Sequence, residues 1–120
     1  MGSGMAVERH EIGPRMSKAV VHGNTVYLAG IVADSPKGKS VREQTQDILR
    51  QIDGFLAKAG TDKSKLLSAN VWITDMANFA EMNAVWDAWV ALGNTPARAT
   101  VEARLAAPDY KVEIMVVAAK

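Results

Sequence analysis

Near its end the chain runs Val112-Glu113-Ile114-Met115-Val116-Val117-Ala118-Ala119, apolar at every position but one. A strand turns successive side chains to opposite faces, so Val112, Ile114, Val116 and Ala118 would share one face and Met115, Val117 and Ala119 the other. Both faces call for burial, which places this segment inside a sheet rather than at its rim. A chain of 120 residues can build one core but not two. Elements of the same chain can cover one side of such a sheet; the other should meet a second copy, and homo-oligomerisation follows.

The rest of the chain supplies the partners. Val7 to Ile12 reads as an edge strand stopped by Gly13-Pro14, because proline cannot donate to a ladder. Ser17 to Val21 and Thr25 to Gly30 flank the turn-forming His22-Gly23-Asn24, a hairpin signal. After the loop Asp34 to Lys39, Ser40-Val41-Arg42-Glu43 has the capping-box spacing. Val41, Ile48, Leu49, Ile52, Phe55 and Leu56 recur at helical spacing up to about Ala59, and Gly60 suits the left-handed residue beyond the end. Leu67 to Thr74 is a strand; Asp75 and Asn78 offer caps for a second helix with the stripe Phe79, Met82, Trp86, Trp89 and Val90, closed by Gly93. Arg98 to Arg104 alternates as a further strand. The order predicts an α+β fold, a mixed sheet with two helices packed on one face, each helix crossing to a parallel neighbour.

Several function classes are excluded early. There is no cysteine, which removes disulfides, thiolate catalysis and cysteine zinc sites and favours a reducing compartment, the cytoplasm being the expected home. Fourteen basic and thirteen acidic residues are mixed along the chain for a net charge of +1, no footprint for a nucleic acid. No run approaches the length of a membrane span. Residues 1–4 read as an expression remnant ahead of Met5, leaving 5–120 as one domain. His10 and His22 have no third ligand at metal spacing, and the glycines make no phosphate loop. Trp72, Trp86 and Trp89 read as core or interface residues.

Three residues remain as candidates for chemistry. Arg98 opens a strand whose other-face residues Ala99, Val101 and Ala103 are small or apolar; its guanidinium could take a carboxylate through two parallel hydrogen bonds, or stand solvated at a strand end. Glu113 interrupts the apolar run on the face of Met115 and Val117, where partial desolvation would suit it to passing protons near neutral pH; pairing with Lys111 or Arg104 is the other reading. Asn83 lies between Phe79 and Trp86 in a helical stripe, where a buried amide needs a partner, either backbone or a pocket.

The run Pro96-Ala97-Arg98-Ala99-Thr100-Val101-Glu102, followed by Lys111-Val112-Glu113-Ile114, resembles the C-terminal signature of the RidA/YjgF family. Ile12-Gly13-Pro14, Leu28-Ala29-Gly30, and Phe79 with Asn83 extend the resemblance over nearly the whole natural chain. It implies a chorismate-mutase-like fold, a homotrimer with active sites between subunits, and hydrolysis of 2-imino or 2-enamino acids such as 2-aminoacrylate to 2-keto acids and ammonium, without cofactor or metal. By the same resemblance Arg98 would hold the substrate carboxylate and Glu113 would orient the attacking water and relay protons. The backbone at Thr100 would help position that water, and Asn83 would line the cleft with Ala29 and Gly30.

Departures from the family pattern fall in that cleft. Arg15 stands where a tyrosine is usual, Ala29 replaces a serine, Thr100 replaces a cysteine, and Met115 stands where a second acid is common. They imply a divergent branch, in which Arg15 could add a second cationic contact or lie at the rim in solvent. The competing class is a non-catalytic carboxylate-binding or chaperone-like protein using the same cleft. Ribonuclease activity, also known in the wider family, gains little from the near-neutral charge.

Overall fold

The computed structural model describes residues 6–120; the expected remnant at 1–4 lies outside the described residues. Six strands and two helices follow in the order β1 (Val7–Ile12), β2 (Ser17–His22), β3 (Thr25–Leu28), α1 (Val41–Lys58), β4 (Leu66–Ile73), α2 (Phe79–Trp89), β5 (Ala97–Glu102) and β6 (Val112–Ala119). They form one mixed sheet of strand order β1-β2-β3-β6-β4-β5. The doubly apolar β6 therefore sits inside the sheet, antiparallel to β3 and to β4.

That central insertion corrects one expectation. The crossover through α2 does lead to a parallel neighbour, β5 beside β4, but the crossover through α1 does not. β3 and β4 run in the same direction with β6 between them. The long apolar strand takes a slot with hydrogen-bonding partners on both sides, where its backbone and side chains are best satisfied.

Local chemistry sets the ends of α1. The Ser40 side chain accepts from the Glu43 amide at 3.1 Å and the Glu43 carboxylate accepts from the Ser40 amide at 3.0 Å, a complete capping box. At the other end Gly60 adopts φ 87, and Thr61 and Gly60 amides donate to Leu56 and Ala57 carbonyls at 2.9 and 3.0 Å. This is the Schellman arrangement. α2 departs from expectation at both ends. Asn78 makes no side-chain cap bond; Asp75 instead accepts from the Ala77 amide at 2.9 Å and caps a short 3-10 turn, Met76–Asn78. The helix stops at Trp89, and Gly93, at φ 83, serves the turn beyond it, where the Asn94 amide donates to Ala91.

The core fills the space between the helices and one sheet face. Val112, Ile114, Val116 and Ala118 are completely buried there with Ile48, Ile52, Leu56 and Met82. Fully buried Gln44 fastens the entry to β6, accepting from the Lys111 amide at 2.9 Å and donating to the Asp109 carbonyl at 3.0 Å. The opposite sheet face has no cover among the described residues. Tyr27 is 46% and Val101 48% exposed, while Trp72, Met115 and Val117 are half-buried. Tyr27 lies opposite Val117 and Trp72 opposite Val101, so these apolar side chains adjoin on one face, as at an interaction surface.

Candidate functional site

Arg98 lies on β5, the edge strand, opposite Ala69 of β4. Ala69 faces the buried side, so Arg98 projects toward the helices and reaches under α2. There its Nη2 donates to Asn83 Oδ1 at 2.8 Å, and its guanidinium carbon lies 5.2 Å from the centre of the Trp86 ring. Asn83 and Trp86 are three residues apart on one helix, hence on one face. The amide oxygen and the face of the indole ring together hold the cation.

What this cradle leaves undone is equally specific. Arg98 Nη1 is buried and has no hydrogen-bond partner. Two residues along, on the same face of β5, the Thr100 hydroxyl is also buried without a partner. A desolvated donor of a permanent cation is costly to leave unmade and favours an anionic acceptor. None of the ion pairs among the described residues includes Arg98. The solvated strand-end reading of Arg98 is thereby excluded.

Glu113 belongs to a different surface. It pairs across the ladder with Trp72, which pairs in turn with Val101. Residues directly opposite share a face, so Glu113 lies on the uncovered side of the sheet while Arg98 lies on the helix side. Two strand spacings and three residues of register also separate them, on the order of 14 Å between Cα atoms. A simple β5–β6 hairpin would have set Glu113 beside Ala103; β4 intervenes and sets it level with Val101. Neither Lys111 nor Arg104 pairs with Glu113: Lys111 Nζ donates instead to the Lys39 carbonyl at 2.8 Å.

The candidates thus fall into two separate groups. Arg98, Thr100 and Asn83 form one, beneath α2 at the sheet edge. Glu113 forms the other with Gly30, and with Ala29 beside it in the chain: the Glu113 carboxylate lies directly over Gly30. Arg15 joins neither by a hydrogen bond or ion pair among the described residues; it is exposed in the turn between β1 and β2. Trp86 was readable as core, and it is 5% exposed, but its part in holding Arg98 was missed. The signal was present in its i+3 spacing from Asn83.

The architecture, a six-stranded mixed sheet carrying two helices on one face, is of YjgF type. A member of the YjgF protein family from Neisseria meningitidis superposes with a TM-score of 0.94 at 48% identity, over 98% of this chain and 97% of that one. Residues 9–120 match the family model described as Endoribonuclease L-PSP. The RutC family protein YoaB of Escherichia coli is 44% identical over 96% of this chain and 99% of its own length. A RutC family protein of Haemophilus ducreyi is 44% identical over 94% of this chain and 96% of its own. The chain belongs to the RidA/YjgF/RutC family.

Among the described residues, no helix is long and apolar enough to cross a membrane, and no cluster of histidine and acidic side chains could hold a metal ion.

Proposed function

We propose that the protein is a cytoplasmic deaminase that hydrolyses 2-imino and 2-enamino acids, such as 2-aminoacrylate, to 2-keto acids and ammonium. It acts as a homotrimer in which Arg98 of one subunit and Glu113 of the next face a single substrate. The observation that carries this reading is the buried, unpartnered Nη1 of Arg98, a fixed cationic donor awaiting an acid group. The opposite-face geometry supports the composite site. Side chains that leave one sheet in opposite directions can converge only when a second sheet edge docks against the uncovered face.

The chemistry asks little of the protein. An enamine first takes a proton at its β-carbon and becomes an imine; a protonated imine is already electrophilic. Arg98 anchors the carboxylate, and Glu113 accepts a proton from water as the oxygen attacks the C=N carbon. Glu113 then returns that proton to the carbinolamine nitrogen, takes the hydroxyl proton as the C–N bond breaks and the carbonyl forms, and gives it to the departing ammonia, which leaves as ammonium. The backbone at Thr100 helps position the water, Asn83, Ala29 and Gly30 line the cleft, and Arg15 at the rim adds positive charge for acidic substrates.

The test generates imines in situ with an amino-acid oxidase acting on a panel of amino acids, and follows keto-acid release with and without the protein. Acceleration that is lost in Arg98→Ala, with the assembly intact, is the expected result. Saturable binding of carboxylates with no acceleration would replace the enzyme by a carboxylate-binding protein.

A further inference from the structure

Glycine at position 30 is not demanded by the backbone. The described glycines with positive φ are Gly23, Gly38, Gly60 and Gly93, so Gly30 has a conformation that an alanine can adopt. What glycine supplies there is space. A Cβ built on Gly30 would stand 2.1 Å from Glu113 Oε2, 3.1 Å from Cδ and 3.4 Å from Cγ, and these are its three nearest neighbours. The first distance is impossible between non-bonded atoms, yet the colliding group is the end of a flexible side chain that can swing away.

The strand arrangement produces this approach. Tyr27 stands opposite Val117 and Ile31 opposite Ile114, so four steps along one strand match three along the other. One extra residue is absorbed on the β6 side within residues 28–30, while on the other side the Ala29 amide keeps the β2 register and donates to the Lys18 carbonyl at 3.0 Å. An irregularity of this kind re-aims local side chains and backbone. Here it brings bare backbone beneath the Glu113 carboxylate.

We infer that Gly30 is a positioning residue of the reaction, acting through its missing side chain: it leaves room for the Glu113 carboxylate to lie against the strand and fixes the direction in which that group meets water. The inference rests on the hydrolase reading above. Any side chain at position 30 pushes the carboxylate off this seat without touching the Arg98 half-site.

The test is a double-mutant cycle between Gly30→Ala and Glu113→Gln, read as kcat and KM in the imine assay and as thermal stability. In the wild-type background Gly30→Ala is expected to lower kcat on the order of ten- to a hundredfold, with KM changed by less than about threefold. In the Glu113→Gln background it should change kcat by less than about twofold. An unchanged kcat for Gly30→Ala, or an equal loss in both backgrounds, overturns the inference. Full activity of Glu113→Gln itself overturns the hydrolase role of Glu113 instead, so the two failures are distinguishable. Should Gly30→Ala not fold, the variant combined with Glu113→Ala decides: recovery of the folded protein demonstrates the collision, and continued failure to fold refutes it.

Discussion

Asn83→Ala removes the one side-chain acceptor that Arg98 has among the described residues. In the native protein Nη2 is engaged at 2.8 Å, Nη1 is unpartnered among the described residues, and the guanidinium carbon lies over the Trp86 ring, 5.2 Å from its centre. A hydrogen bond to a charged group contributes about 1.5 to 3 kcal/mol net. Asn83 is only partly buried, so the lower half of that range applies, and each 1.4 kcal/mol is about tenfold in an equilibrium constant. The expected loss in kcat/KM is therefore about tenfold. It should appear mainly in KM, because the carboxylate is gripped equally in ground and transition states. Trp86→Phe keeps a weaker aromatic face and should cost about threefold, from a cation–π difference of roughly 0.5 to 1 kcal/mol. The coupled imine assay with keto-acid detection gives both parameters. Asn83→Ala with kcat/KM within about twofold of wild type, or with the loss confined to kcat, would refute the view that this amide aims the guanidinium.

Other perturbations separate the remaining elements of the account. Arg98→Lys keeps the charge but loses the planar fork, and kcat/KM should fall about tenfold or more; full activity would show that charge alone suffices. Val117→Glu places a charge on the uncovered sheet face and should abolish assembly and hydrolysis together, as read by sedimentation velocity and the imine assay; an active monomer would contradict the composite site. Ile114→Ala empties a fully buried position at the centre of β6 and should cost about 2 to 5 kcal/mol in urea unfolding. Glu43 is held below the ordinary carboxylate range, first by the Ser40 backbone amide, so its folded-state pKa lies below its unfolded one. Its contribution is present above that range and disappears as pH falls through it. The stability gap between wild type and Glu43→Gln should then close on acidification; a gap independent of pH would show that the ionised carboxylate plays no part in the cap.

The limits of each element were legible where local chemistry sets them. The β6 alternation, the Ser40–Glu43 box and Gly60 are short-range signals, and the structure places each where the residues imply. Neighbour relations were not legible in the same way. Periodicity assigns faces within a strand but says nothing about which strand lies beside it, so the insertion of β6 between β3 and β4 could not be read from spacing. The opposite-face placement of Arg98 and Glu113 follows from that insertion. Gly93 misled because a left-handed glycine serves a loop turn as readily as a helix end. For Arg98 the small residues on the reverse face were a weak signal, while Asn83 and Trp86 at i, i+3 were a stronger one, with Trp86 read as core or interface and Asn83 left between a backbone partner and a pocket.

Subunit complementation tests the composite site most directly. Arg98→Ala and Glu113→Gln chains are purified separately, unfolded together in equal amounts, refolded, and assayed for imine hydrolysis. In a cyclic assembly a site is whole only where an intact Arg98 faces an intact Glu113 from the neighbouring subunit, so random mixing should restore about a quarter of wild-type activity from two parents of only residual activity. Mixed assemblies that form, as verified by mass, yet show no more than the residual activity of the parents would contradict a site shared between neighbouring chains.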